Sequence, residues 1–124
     1  MKNILIISET INEITRLKRA FGGDFRVGAS NSAENAFAVI QNRLPDLILY
    51  RLGDNPQNMS LLFDFYKKLR QGETTEELPV VFVINEAAAK VVKETVKFKN
   101  AAVIESSVEP EIIYNVVNSF FKSQ

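Results

Sequence analysis

The sequence predicts an α/β domain in which a five-stranded parallel sheet carries helices on both faces. Two patterns predict it. Short apolar runs alternate with segments of helical period five times along the chain, and most of the runs are apolar at consecutive positions, as strands buried on both sides require. Size agrees with this: 124 residues, 46% hydrophobic and 24% charged, fit one domain spanning 1–124 with a full core.

Asn3-Ile4-Leu5-Ile6-Ile7 is the first strand. Ile11, Ile14, Leu17 and Phe21 then recur at helical spacing, with Thr10 as N-cap and Gly22-Gly23 as the stop. Phe25-Arg26-Val27-Gly28-Ala29 is the second strand, and its arginine marks a sheet edge. Ser32 caps a second helix through Ala36, Phe37, Val39 and Ile40, and Pro45 breaks the path back to the sheet. Leu47 to Tyr50 form the third strand. The polar stretch from Gly53 to Asn58 is the least regular segment and leads to a third helix through Leu61, Leu62, Phe65, Tyr66 and Leu69. Its aromatic residues Phe63, Phe65 and Tyr66 read as core. Pro79 precedes the fourth strand, Val80 to Ile84, and Ala87 to Lys97 form the fourth helix. Ala101 to Ile104 are the fifth strand, and Glu109-Pro110-Glu111 opens the last helix with proline near its first turn.

Composition removes several classes of function. Fifteen basic and fifteen acidic residues cancel, so no global field favours nucleic acid or an anionic membrane. With no cysteine and no histidine, disulfides, thiol chemistry, the commonest metal ligand and the commonest general base are absent. No cleavable leader follows Met1-Lys2, and no apolar run approaches about 18 residues, which points to a soluble, cytoplasmic protein. In open α/β sheets the residue at a strand's carboxyl end faces the functional crevice. After the third strand, that residue is Arg51.

Five stretches, in register along the chain, resemble the receiver domain (CheY-like) of bacterial response regulators. Asn3 to Thr10 is similar to the first receiver strand and its acidic end, and Ser32-Ala33-Glu34-Asn35-Ala36-Phe37 to the start of the second helix. Pro45 to Arg51 resembles the proline-aspartate-aliphatic strand that ends in the phosphoacceptor. Leu78 to Ile84 resembles the fourth strand, and Val108-Glu109-Pro110-Glu111 the start of the fifth helix. The resemblance implies a flavodoxin-like three-layer α/β/α sandwich with strand order 2-1-3-4-5.

Receiver chemistry needs an acidic cluster for a divalent metal, an aspartate nucleophile, a hydroxyl and a lysine. Carried onto this chain, the acidic pair falls on Ser8 and Glu9, the acceptor on Arg51, the hydroxyl on Ile84, the lysine on Ser106 and its proline neighbour on Ser107. Val103 stands in place of the aromatic rotamer switch. The resemblance therefore implies a degenerate pseudo-receiver, with no enzymatic activity, no metal and no cofactor. Two readings of Arg51 stay open: a charge-assisted pair with Glu9, which Asp54 is near enough in sequence to join, or a side chain pointing into solvent. Asp54 is also the candidate for a displaced acceptor, without a lysine or hydroxyl to stabilise the transition state. A flavin or nucleotide loop at Ser8 to Glu13 is disfavoured, because Ile11 stands where a phosphate-binding loop needs glycine.

Function is then expected on a surface, as a protein-interaction module of a two-component, phosphorelay-type pathway. Its partner would be a protein of that pathway or a second copy bound through the fourth helix, fifth strand and fifth helix. Lys90, Lys93 and Lys97 share one helical face, as a basic docking patch or as an ordinary solvated face with a Glu86–Lys90 ion pair. On the last helix, Tyr114 and Phe121 are candidates for an interface, although core packing is open to most of that stripe.

Overall fold

Strand and helix alternate from Asn3 to Lys122: β1 (Asn3–Ser8), α1 (Ile11–Phe21), β2 (Arg26–Ser30), α2 (Ala33–Asn42), β3 (Leu47–Arg51), α3 (Asn58–Gln71), β4 (Val80–Ile84), α4 (Glu86–Thr95), β5 (Ala101–Glu105) and α5 (Pro110–Lys122). These elements come from a computed structural model that describes residues 1–53, 58–95 and 98–122. All strand pairs are parallel, and the order is β2-β1-β3-β4-β5, as the sequence leads one to expect.

Strand alternation divides the core into two layers. Leu5, Ile7, Ile48, Tyr50 and Phe82 face α2, α3 and α4, where Ala36, Leu62, Phe65 and Val92 are buried against them. Ile4, Ile6, Leu47, Leu49 and Val83 face the other way, towards Leu17 and Phe21 of α1 and Ile113 and Val117 of α5. Each such aliphatic or aromatic side chain contributes about 1.5–3 kcal/mol through burial. The continuous apolar runs in β3 and β4 are thus required by their central place. Edge strand β2 carries exposed Arg26, Gly28 and Ala29.

Some details differ from expectation. Strands β1, β2, β3 and β5 each continue one residue further, to Ser8, Ser30, Arg51 and Glu105. Phe25 lies just before β2, buried in an aromatic cluster with Phe21 at 5.9 Å, Phe121 at 5.6 Å and Tyr114 at 5.8 Å between ring centroids. Ser32 caps α2, its side chain accepting from the Asn35 N–H at 3.1 Å. Thr10 holds the N-cap position of α1 without a side-chain cap bond; its own N–H donates to Ser8 Oγ at 3.3 Å. α4 starts at Glu86, one residue earlier than the periodicity suggests, because Asn85 Oδ1 accepts from the Ala88 N–H at 2.9 Å.

At the amino-terminal end of the sheet one arginine ties two loops together. Arg70, near the end of α3, donates from Nη1 to the carbonyls of Thr75 (3.2 Å) and Leu78 (2.8 Å), and from Nη2 to those of Lys99 (2.8 Å) and Asn100 (3.2 Å). Its guanidinium stacks over Tyr66, 4.8 Å from the ring centroid, and the Tyr66 hydroxyl donates to the Lys99 carbonyl at 3.0 Å. Asn100 has φ of 51°, a left-handed turn that asparagine tolerates better than most residues.

Candidate functional site

The carboxyl ends of β1, β3, β4 and β5 bring together the positions that the resemblance singles out. Ser8 pairs in register with Arg51, Arg51 with Val83, and Ile84 with Glu105, which precedes Ser106. Arg51 shares strand parity with Leu47 and Leu49, so its side chain projects to the face covered by α1. There its Nε lies 2.8 Å from Glu13 Oε2, with both side chains largely shielded from solvent (20% and 22% exposed). Arg51 Nη1 also donates to the Leu52 carbonyl at 3.4 Å, and Arg16 reaches the same Glu13 oxygen at 3.7 Å.

Among the described residues the partner of Arg51 is therefore Glu13, not Glu9. Glu9 is exposed, beyond the end of β1, and its negative charge acts on Tyr50. Burial, first, and the Glu9 charge, second, push the Tyr50 hydroxyl above its ordinary range. Tyr50 and Arg51 are adjacent and so point to opposite faces, and Glu13, in the first turn of α1, serves Arg51. The signal was present in the sequence as strand parity combined with an acidic residue in the first turn of α1. Adjacent strand ends alone suggested the wrong carboxylate.

The remaining positions offer little polar chemistry. Ser8 is buried, Ile84 is buried in the core against α2, α3 and α4, and half-buried Ser106 donates its N–H to the Ile84 carbonyl at 2.6 Å. Asp54 lies outside the described residues. Among those described, no three carboxylates come together as a metal would need. A divalent ion does not fit the described residues: Arg51 brings a tethered cation, and buried Ser8 supplies no carboxylate.

The residues offered as candidate interaction surfaces differ in exposure. Lys90 and Lys93 are exposed on α4; Lys97 lies outside the described residues. Glu86 and Lys90 form no ion pair. Val103 is half-buried against the core layer under α4. Tyr114 and Phe121 turn inward onto Phe25, and the Tyr114 hydroxyl donates to Asp24 Oδ2 at 2.7 Å. Among the described residues, the large apolar side chains that α4 and α5 expose are Val91 (50%) and Ile112 (47%). On α3, Phe65 is buried and Phe63 and Tyr66 pack on the same core layer, as expected.

This sheet order, with helices on both sides, is the fold of response-regulator receiver domains. The chain is similar to the signal receiver domain of a signal transduction histidine kinase from Syntrophus aciditrophicus, with a TM-score of 0.81 over 99% of this chain and 92% of that one at 12% identity. It is also similar to a response regulator receiver modulated diguanylate cyclase from Pelobacter carbinolicus (TM-score 0.77, 15% identity, 99% and 94% covered). The chemotaxis response regulator CheY4 of Vibrio cholerae gives a TM-score of 0.73 at 16% identity, over 97% of this chain and 98% of that one. No protein-family model matches the sequence, and no curated protein matches it. Among the described residues, no helix is long and apolar enough to cross a membrane.

Proposed function

We propose that this chain is a pseudo-receiver: a cytoplasmic protein-interaction module of a two-component, phosphorelay-type pathway that works without aspartyl phosphorylation and catalyses no reaction of its own. The observation that carries this reading is Arg51. A guanidinium cannot form an acyl phosphate, and here it is engaged by Glu13 at 2.8 Å. Ile84 stands where a hydroxyl would follow a phosphoryl group, and Ser106 where a lysine would neutralise it. The pocket is held in one arrangement by an internal ion pair, and signalling passes through the surface presented by α4, β5 and α5. Exposed Val91 and Ile112 support an apolar contact there with a protein of the pathway or a second copy, and exposed Lys90 and Lys93 favour an acidic rim on that partner.

Incubation with acetyl phosphate and magnesium, followed by intact-mass measurement, tests this directly. The unmodified mass is expected. A phosphoryl adduct mapped to Asp54 would establish the alternative, a regulator phosphorylated at a non-standard site.

A further inference from the structure

A cleft of about 200 Å³ opens between edge strand β2, the start of β1 and the last turns of α2. It lies at the amino-terminal ends of the strands, opposite the end that carries Arg51. Its origin is legible in the strand. Arg26, Gly28 and Ser30 occupy the face of β2 that α2 should cover, because Gly28 pairs with Leu5 and Leu5 packs into that layer. Gly28 leaves that face without a side chain: a Cβ there would meet only Leu5 Cδ1, at 3.7 Å. The space left beneath α2 is floored by Leu5 and Pro45, and Val39 of α2 remains 41% exposed beside it.

Arg26 and Arg43 both line this cleft. Neither makes an ion pair or a side-chain hydrogen bond among the described residues. The neighbouring carboxylate, Asp46, is already engaged, accepting the Asn3 N–H at 2.6 Å. Two guanidinium groups without partners beside an apolar floor form an incomplete arrangement. Its complement is an anion that presents two oxygens in a plane and carries an apolar tail. The volume falls below the roughly 300–1,000 Å³ of sites for drug-sized ligands, which restricts the tail to a short chain.

We propose that this cleft binds a small organic acid, its carboxylate between Arg26 and Arg43 and its apolar chain against Leu5, Pro45 and Val39. The site is separate from the receiver-type pocket and does not depend on the signalling role proposed above.

Amide NMR titration with hexanoate, with hexan-1-ol as the uncharged control, tests the proposal on the intact chain. Saturable shifts centred on Asn3, Leu5, Gly28 and Val39 are expected for hexanoate, with affinity about tenfold weaker for hexan-1-ol. The paired substitution Arg26→Gln and Arg43→Gln, at two exposed positions, should leave the spectrum folded and weaken hexanoate to the level of the alcohol. No saturable shifts with millimolar hexanoate would overturn the proposal. So would equal affinity for the alcohol, or affinity unchanged in the double variant.

Discussion

Arg51 and Tyr50 are neighbours in the chain with opposite commitments, and most of the chemistry of the site follows from that. Parity sends Arg51 to α1 and Glu13, and Tyr50 to the core beneath α3, where its ring meets Phe65 edge-on at 4.9 Å. Removing Glu13 should therefore matter where removing Glu9 does not. Glu13→Ala is expected to lower stability by about 1 kcal/mol, between an exposed pair and a shielded charge-assisted bond, while Glu9→Ala stays near zero. A double-mutant cycle in urea should give a coupling between Arg51 and Glu13 and none between Arg51 and Glu9. A second residue-scale consequence concerns alkaline pH. The hydrogen bond to Asp24, then burial and the Asp24 charge, raise the Tyr114 hydroxyl above its ordinary value of 10.0. The folded state thus favours the neutral phenol. Its contribution is fully present below that ordinary value and is lost as pH rises through the raised one, and Tyr50 acts with the same sign. Stability measured in urea should fall above about pH 10, and Tyr114→Phe should flatten that fall.

Among the elements, α3 does more than cover the sheet. Through Arg70 it holds the Thr75–Leu78 loop and the Lys99–Asn100 turn by four carbonyls, thereby fixing where β4 and β5 begin. Arg70→Met keeps the aliphatic stem and removes the donors. It should cost roughly 2 kcal/mol and raise amide exchange in both loops while the first strands stay protected. No sequence pattern pointed to this. Arg70 reads as one more charge in the last turn of an amphipathic helix, and carbonyl acceptors contributed by distant loops leave no periodic signal. Strands β1, β3 and β4, by contrast, were legible nearly to the residue, because burial on both faces imposes unbroken apolar runs. The packing of half-buried Tyr114 and Phe121, the interface candidates on α5, was not legible for a related reason. Periodicity shows how wide the apolar stripe of α5 is, but not that Phe25 fills the gap between α1 and α5.

At the scale of the whole molecule, two faces of the same sheet carry different prospects. The fold is that of a receiver, and the order β2-β1-β3-β4-β5 brings Ser8, Arg51 and Ile84 to one end of the sheet. Under the proposed reading, interaction through α4, β5 and α5 is the route to function. If the exposed apolar residues there support self-association, paired Val91→Glu and Ile112→Glu substitutions should shift sedimentation towards the monomer and leave the melting temperature nearly unchanged. Identical sedimentation of wild type and variant would direct attention to a different protein partner or surface.

The central claim is that the pocket is fixed by its own cation and does not respond to a phosphoryl group. Amide NMR during titration with magnesium and beryllofluoride, following Ser8, Glu9, Arg51 and Ser106, tests it most directly. The account predicts no saturable change at millimolar ligand. Shifts that saturate in this pocket and spread to α4 and α5 would contradict it and restore a phosphorylation switch.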